Sequence, residues 1–295
     1  MGYLPLLPMR MSIALLRATA LELAILTAHM IVYPSGLIPE RRPAGPAYGS
    51  PPPEHPEPHN PQETSGLPGS PGSPAPQALP TRPSQHPPAV LLHGFVDNRS
   101  VFVLLRRSLV RQGGRHVESL NYSPLTCDIR TAAELLGRHV EEICARTGRQ
   151  RVDIVGHSLG GLIARYYVQR LGGDHRVRTL VTLGTPHAGT SVAPLASAHP
   201  IVRQMRPGSA VIEELQLPAP GCRTRFVSFW SDLDQIMVPL ETARLEHPDL
   251  IVRNVRVSGI GHLALPVHPA VAAGIREALD ASGAEADSSG AVSVA

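Results

Sequence analysis

From residue 89 to about residue 280, short runs of consecutive apolar residues alternate with longer stretches in which apolar positions recur every three or four residues. The short runs predict strands buried on both faces, and the longer periodic stretches predict helices with one inward face. Strands alternating with helices are the pattern of a mostly parallel sheet with crossover helices, so the predicted fold class is α/β. The runs at 89–92, 117–122, 152–155, 177–183, 225–230 and 250–257 make about six strands. The first helix is predicted to carry Val101, Leu104, Leu105 and Leu109 inward. The second is capped by Asp128, turns Ile129, Ala132, Ala133, Leu136, Val140, Ile143 and Cys144 to one side, and ends at Gly148. Helices at 159–171 and 266–279 complete the set.

Outside this region the pattern breaks down. Of the chain's 31 prolines, 18 fall in 34–88, among Gly, Ser and His, with few large apolar residues. Such a stretch cannot bury a core, and it is expected to be a disordered, semi-rigid tether. Residues 1–33 hold an apolar run with Arg10 before it, which predicts a membrane anchor or a signal-like helix. Arg17, Glu22 and His29 interrupt the run, and a carboxylate at mid-bilayer costs about 2.5 to 3.5 kcal/mol. The alternative is an amphipathic helix packed on the domain or lying at a membrane surface. Residues 89–281 form the α/β domain, and 282–295, rich in Ser, Gly and Ala, are expected to be a disordered tail. This division predicts a membrane-anchored or secreted protein, or else a cytoplasmic one peripheral to a membrane.

A formal net charge of +3 with scattered arginines gives no reason to expect a nucleic-acid partner. The three cysteines, Cys127, Cys144 and Cys222, have no metal or redox spacing, so no metal site is expected from them. Cys144 falls on a helix's apolar face, while Cys127 and Cys222 both fall in loops, which leaves one disulfide open.

The chemistry is concentrated at Gly156-His157-Ser158-Leu159-Gly160-Gly161, which follows a predicted strand directly and opens a helix. A serine there sits on a turn too tight for side chains at 156 and 160, with its Oγ projecting above the sheet edge, and is the candidate nucleophile. An attacked carbonyl needs two backbone N–H donors for its developing charge; Leu159 supplies one, and Phe95, in His93-Gly94-Phe95 after the first strand, supplies the other. His93 is read as fixing that loop and His157 as structural. The hydroxyl needs a base, and His262 follows the last strand in Ser258-Gly259-Ile260-Gly261-His262. His187 at the end of the fourth strand is its rival, but it precedes the acid in the chain. The acid is Asp234 or Asp232 after the fifth strand; the apolar run that follows Asp234 would anchor its loop beneath the histidine, which favours Asp234.

With HGF at 93–95, VDIVGHSLGG through Ser158, LGTPHAGT at 183–190, SDLDQIMV around Asp234 and RNVRVSGIGHLAL around His262, the chain resembles the minimal bacterial triacylglycerol lipases of the α/β-hydrolase superfamily over most of 89–280. The resemblance implies hydrolysis of acylglycerols or simpler esters without a cofactor, with Asp234 as the acid. A related expectation keeps the triad but acts as an acyltransferase or a phospholipid deacylase; another is a non-catalytic binding module on the same scaffold. The segment 191–221 is longer than such lipases need and is expected to be either a lid or a fixed rim of the acyl pocket.

Overall fold

The computed structural model describes residues 13–37, 86–95, 97–122, 128–192 and 199–288. Six strands form one parallel sheet: β1 (Ala89–Leu92), β2 (Val117–Leu120), β3 (Val152–His157), β4 (Val177–Leu183), β5 (Arg225–Ser231) and β6 (Ile251–Val257). Their spatial order is β2-β1-β3-β4-β5-β6, and every neighbouring pair is parallel. Because successive strand side chains alternate between faces, Val90, Leu92, Ile154, Leu180 and Phe226 pack on one side, and Leu91, Val155, Val181, Val227 and Phe229 on the other. Both faces are therefore covered, as a parallel sheet requires.

The first face is covered by α3 (Ile129–Thr147), α4 (Leu159–Arg170), α5 (Pro200–Gln204) and α6 (Ala210–Gln216). The second is covered by α2 (Val103–Gly113) and α7 (Pro269–Ser288). In α3, Asp128 accepts a hydrogen bond from the Thr131 N–H at 2.7 Å, the helix stops at Gly148 with φ 67°, and the seven expected apolar positions are all buried. Each large aliphatic side chain so buried is worth about 1.5–3 kcal/mol.

Three expectations need correction. Leu104 is 55 % exposed: Val101, Leu105 and Leu109 form the buried stripe, and Leu104 lies about 100° around the helix from Leu105. The tail boundary at 281 is too early, since α7 runs to Ser288 on a stretch whose Ala and Glu residues favour helix. The N-terminal boundary at 33 also falls inside a helix, α1 (Ile13–Leu37), which is packed on the domain through Ala18, Ile25 and His29. Among the described residues no helix is long and apolar enough to cross a membrane. The tether expectation falls on residues that, apart from 34–37 and 86–88, lie outside the described ones.

In segment 191–221, Ile201, Val202, Ile212 and Leu215 are buried in the main core, so α5 and α6 cover part of the sheet; residues 193–198 lie outside the described ones. Arg165 of α4 locks this cover in place. Fully buried, it donates to the carbonyls of His187 (2.9 Å) and Leu215 (2.8 Å) and to the Gln169 side chain (2.6 Å). Burial, with Arg170 nearby, pushes its guanidinium down to about 9. Cys222 is a free thiol, and Cys127 lies outside the described residues. Arg165→Ala leaves the His187 carbonyl without this donor and the Leu215 carbonyl with Gln169 Nε2 at 3.3 Å, at about 1–3 kcal/mol for each bond lost, so denaturant unfolding should show a loss of about 3 kcal/mol; a loss within experimental error would contradict this role.

Candidate active site

The buried strand β3 carries the chain straight to Ser158, and α4 begins at the next residue. Among the described residues Ser158 is the one non-glycine with positive φ, at φ 52° and ψ −118°. Such a conformation strains any residue with a Cβ and persists only when its surroundings impose it. Here the Ser158 N–H donates to the Leu183 carbonyl at 2.9 Å, and its own carbonyl accepts from Gly161 N–H (3.0 Å) and Thr185 Oγ1 (3.0 Å). The turn closes so tightly that a Cβ on Gly160 would stand 2.4 Å from the Leu92 carbonyl oxygen, and one on Gly156 would stand 2.6 Å from Gly161 Cα.

The loop after β1 lies against this turn: a Cβ on Gly94 would stand 3.4 Å from Ser158 Cβ. His93 stacks on Tyr122 with ring centroids 4.4 Å apart and bonds the Gly94 carbonyl through Nδ1 at 2.9 Å, while the Tyr122 hydroxyl donates to the His93 carbonyl. Burial pushes the His93 imidazole below its ordinary value, so it is a neutral wedge that shapes the loop. The Phe95 ring meets His199 edge-on at 5.5 Å. Leu159 is buried at the first position of α4, where a helix leaves its N–H groups without intrahelical partners.

Asp234 and His262 come from the loops after β5 and β6 and meet at 2.7 Å, Oδ2 to Nδ1, both buried. Asp234 is held by N–H donors from Ile236 (2.9 Å) and Met237 (3.2 Å) on its other oxygen. An ionised carboxylate only accepts, so Nδ1 of His262 carries a proton and Nε2 is the basic nitrogen. Burial alone would push the His262 imidazole down, but the charge and hydrogen bond of Asp234, followed by the charges of Asp97 and Glu22, leave it above its ordinary value. A Cβ on Gly184, next to the Leu183 that receives the Ser158 N–H, would stand 2.9 Å from His262 Nδ1 and 3.0 Å from Asp234 Oδ2. Ser158, Asp234 and His262 thus gather at the carboxyl edge of β3, β4, β5 and β6.

The rival residues lie elsewhere in the network. His187 bonds Thr182 Oγ1 at 2.9 Å through Nε2, and burial with Arg165 beside it pushes its imidazole well down, so it stays neutral and structural. Asp232 accepts from Arg256 (2.8 Å) and from the Gly259 N–H (3.3 Å), which ties down the start of the His262 loop. His157 spans the site with its Nδ1 2.9 Å from Asp97 Oδ2 and its Nε2 3.3 Å from the His262 carbonyl oxygen. Burial would raise the Asp97 carboxyl, yet its bond to His157 and the charges of His157, His29 and His262 bring it below the ordinary range. Sequence reasoning missed Asp97, which lies two residues past the predicted donor loop, and Glu22 and His29, which read only as breaks in an apolar run.

A parallel sheet with helices on both faces and a strand-to-helix serine elbow is the α/β-hydrolase fold. The fold is shared with Aspergillus fumigatus lipase B (TM-score 0.60, 16 % identity, covering 69 % of this chain and 55 % of that one) and with the mature form of Bacillus licheniformis lipase BlEst2 (TM-score 0.57, 17 % identity, 67 % and 96 % covered). Residues 88–227 match the palmitoyl protein thioesterase family. Triacylglycerol lipases of Pseudarthrobacter phenanthrenivorans (38 % identity over 113 residues, 36 % of this chain) and Vibrio cholerae (32 % over 133 residues, 43 % of this chain) are sequence relatives. The aligned region spans only 35 % and 39 % of those two lipases.

The His262 environment makes a direct prediction. In an NMR titration its ring should have a midpoint above that of an ordinary imidazole, and Asp234→Asn should lower it, because the lost negative charge favoured the imidazolium. An unchanged midpoint would contradict the pairing.

Proposed function

We propose that this protein is a serine carboxylic ester hydrolase, a lipase or esterase, that cleaves lipid or medium-chain esters through an acyl-enzyme on Ser158. The observation that carries the reading is the 2.7 Å Asp234–His262 pair beside a serine held at φ 52° on a strand-to-helix turn. In this reading Ser158 Oγ attacks the ester carbonyl carbon while its proton passes to His262 Nε2. Asp234 holds the imidazole in the required tautomer and balances its new charge. The carbonyl oxygen becomes negative and is met by the N–H groups of Phe95 and Leu159, the latter at the positive end of α4. His262 then gives its proton to the leaving alcohol oxygen, the C–O bond breaks, and the acyl group remains on Ser158. Water repeats the sequence with the same base, releasing the acid and restoring the serine. No step calls for a cofactor. The similarity to palmitoyl protein thioesterases supports extending the leaving group from alcohols to thiols, with the same residues.

The same reading puts the protein at a lipid surface. Ile13, Leu16, Leu23, Met30 and Ile31 of α1 are exposed apolar side chains, an outward face suited to the boundary between headgroups and acyl chains.

Two measurements test these roles. Hydrolysis of nitrophenyl esters of graded acyl length should vanish in Ser158→Ala and fall by about 10⁴ in Asp234→Asn; near-normal turnover in either would remove the triad. Full-length protein should sediment with phospholipid vesicles, and Leu23→Asp with Ile31→Asp should release it; equal sedimentation of both would refute the lipid-facing role of α1.

A further inference from the structure

Of the three polar residues that interrupt the N-terminal apolar run, Glu22 and His29 reach the site, while Arg17 is exposed. Ala18, Glu22, Ile25 and His29 are spaced by four, three and four residues, which puts them on one face of α1, and that face is turned to the domain. Glu22 Oε2 accepts the Leu263 N–H at 2.9 Å, and its Oε1 accepts the Ala264 N–H at 3.0 Å. Those are the two residues after His262. The carboxylate sits so close that a Cβ on Gly261 would stand 2.5 Å from Glu22 Cδ. One turn earlier, Thr19 Oγ1 accepts from Gln235 Nε2 at 3.4 Å, beside Asp234. Two turns later, His29 Nδ1 lies 3.4 Å from Asp97 Oδ1, and the other oxygen of Asp97 holds His157, which reaches the His262 carbonyl. One helix therefore touches the loop of the acid, the loop of the base and the carboxylate that supports the base from behind.

We propose that Glu22 is a positioning residue of this site, holding the His262 loop in register with Ser158, so that α1 is a working part of the catalytic centre and not an anchor alone. The proposal rests on the hydrolase reading above. Its physical basis is that residues 263 and 264 lie in a loop whose N–H groups have no strand or helix partner, and a partly buried N–H needs an acceptor. A single carboxylate that accepts both, in charge-assisted bonds, fixes the loop in translation and in rotation. Displacing a reacting group by about 1 Å can cost roughly a hundredfold in rate, so this restraint bears directly on turnover. The groups facing His262 are Asp234 from the loop after β5, Asp97 from the loop after β1, His157 and Ser158 from the elbow, and Glu22 from α1. Glu22 is one of three carboxylates there, and its charge favours the imidazolium that forms as the proton moves.

The test uses full-length protein and a water-soluble short-chain nitrophenyl ester, so that no lipid surface is involved. Glu22→Gln keeps the shape but can accept only one of the two N–H groups, and Glu22→Ala accepts neither. Expected are a fall in kcat of roughly tenfold for the first and roughly a hundredfold for the second, with KM little changed. The acid limb of the pH profile should move to lower pH in both, because the removed negative charge had favoured protonated His262. NMR titration of the His262 ring reads the same shift without reference to turnover, and thermal melting reports how much of each variant is folded. Wild-type kcat in both variants, or a loss of kcat that merely follows the folded fraction while the acid limb and the His262 midpoint stay in place, would overturn the proposal. Failure of the wild-type protein to hydrolyse any ester or thioester would overturn the hydrolase reading itself and this role with it; normal wild-type turnover with indifferent Glu22 variants removes only the latter.

Discussion

Ser158 holds a backbone conformation that a residue with a side chain ordinarily avoids, and most of the surrounding architecture serves to impose it. Its N–H must continue the ladder to Leu183 while its carbonyl already belongs to the first turn of α4, and both demands are met only with φ at 52°. The strain costs on the order of 1–3 kcal/mol, and β3 can bear it because it is buried along its whole length between β1 and β4. Close approach of α4 to the end of β1 requires Gly160, and closure of the turn requires Gly156. The serine is thereby lifted to the sheet edge next to the loop after β1.

The partners of the serine are held by a different device. Loops after β5 and β6 have no regular backbone pairing of their own, so carboxylates and hydroxyls supply it. Asp234 is fixed by two N–H groups before it touches His262, Ser231 Oγ donates to the Ile260 carbonyl, and Asp232 receives the Gly259 N–H. Behind the imidazole, Asp97 and His157 brace the His262 carbonyl, and in front Glu22 gathers the next two N–H groups. The imidazole itself is buried, yet stays more basic than a free one because the carboxylates around it outweigh the cost of burying its charge.

The same logic explains how α1 can combine a docked and an exposed face. One stripe, with Ala18, Glu22, Ile25 and His29, meets polar loops and a patch of core, while Ile13, Leu16, Leu23, Met30 and Ile31 look outward. A helix with an apolar outer side and a docked side that carries Glu22 and His29 beside Ala18 and Ile25 departs from the usual surface pattern. Glu22 and His29 are the polar residues of α1 that find partners in the domain.

Local features were legible in the order of residues. Periodicity located six strands and most helices because burial on both faces leaves an unmistakable apolar run, and the glycines flanking Ser158 announced a turn that no other residue tolerates. Chain order and a following apolar anchor pointed to His262 and Asp234, and the structure pairs these two at 2.7 Å. Contacts across long stretches of chain became visible in the folded molecule alone. Leu104 faces outward, α7 continues past 281, and Glu22, His29 and Asp97 converge on the surroundings of His262 from the far N-terminus and from the loop after β1. A lone glutamate in an apolar run has no local partner to betray it; its role exists only because folding brings the N–H groups of residues 263 and 264 within hydrogen-bonding distance.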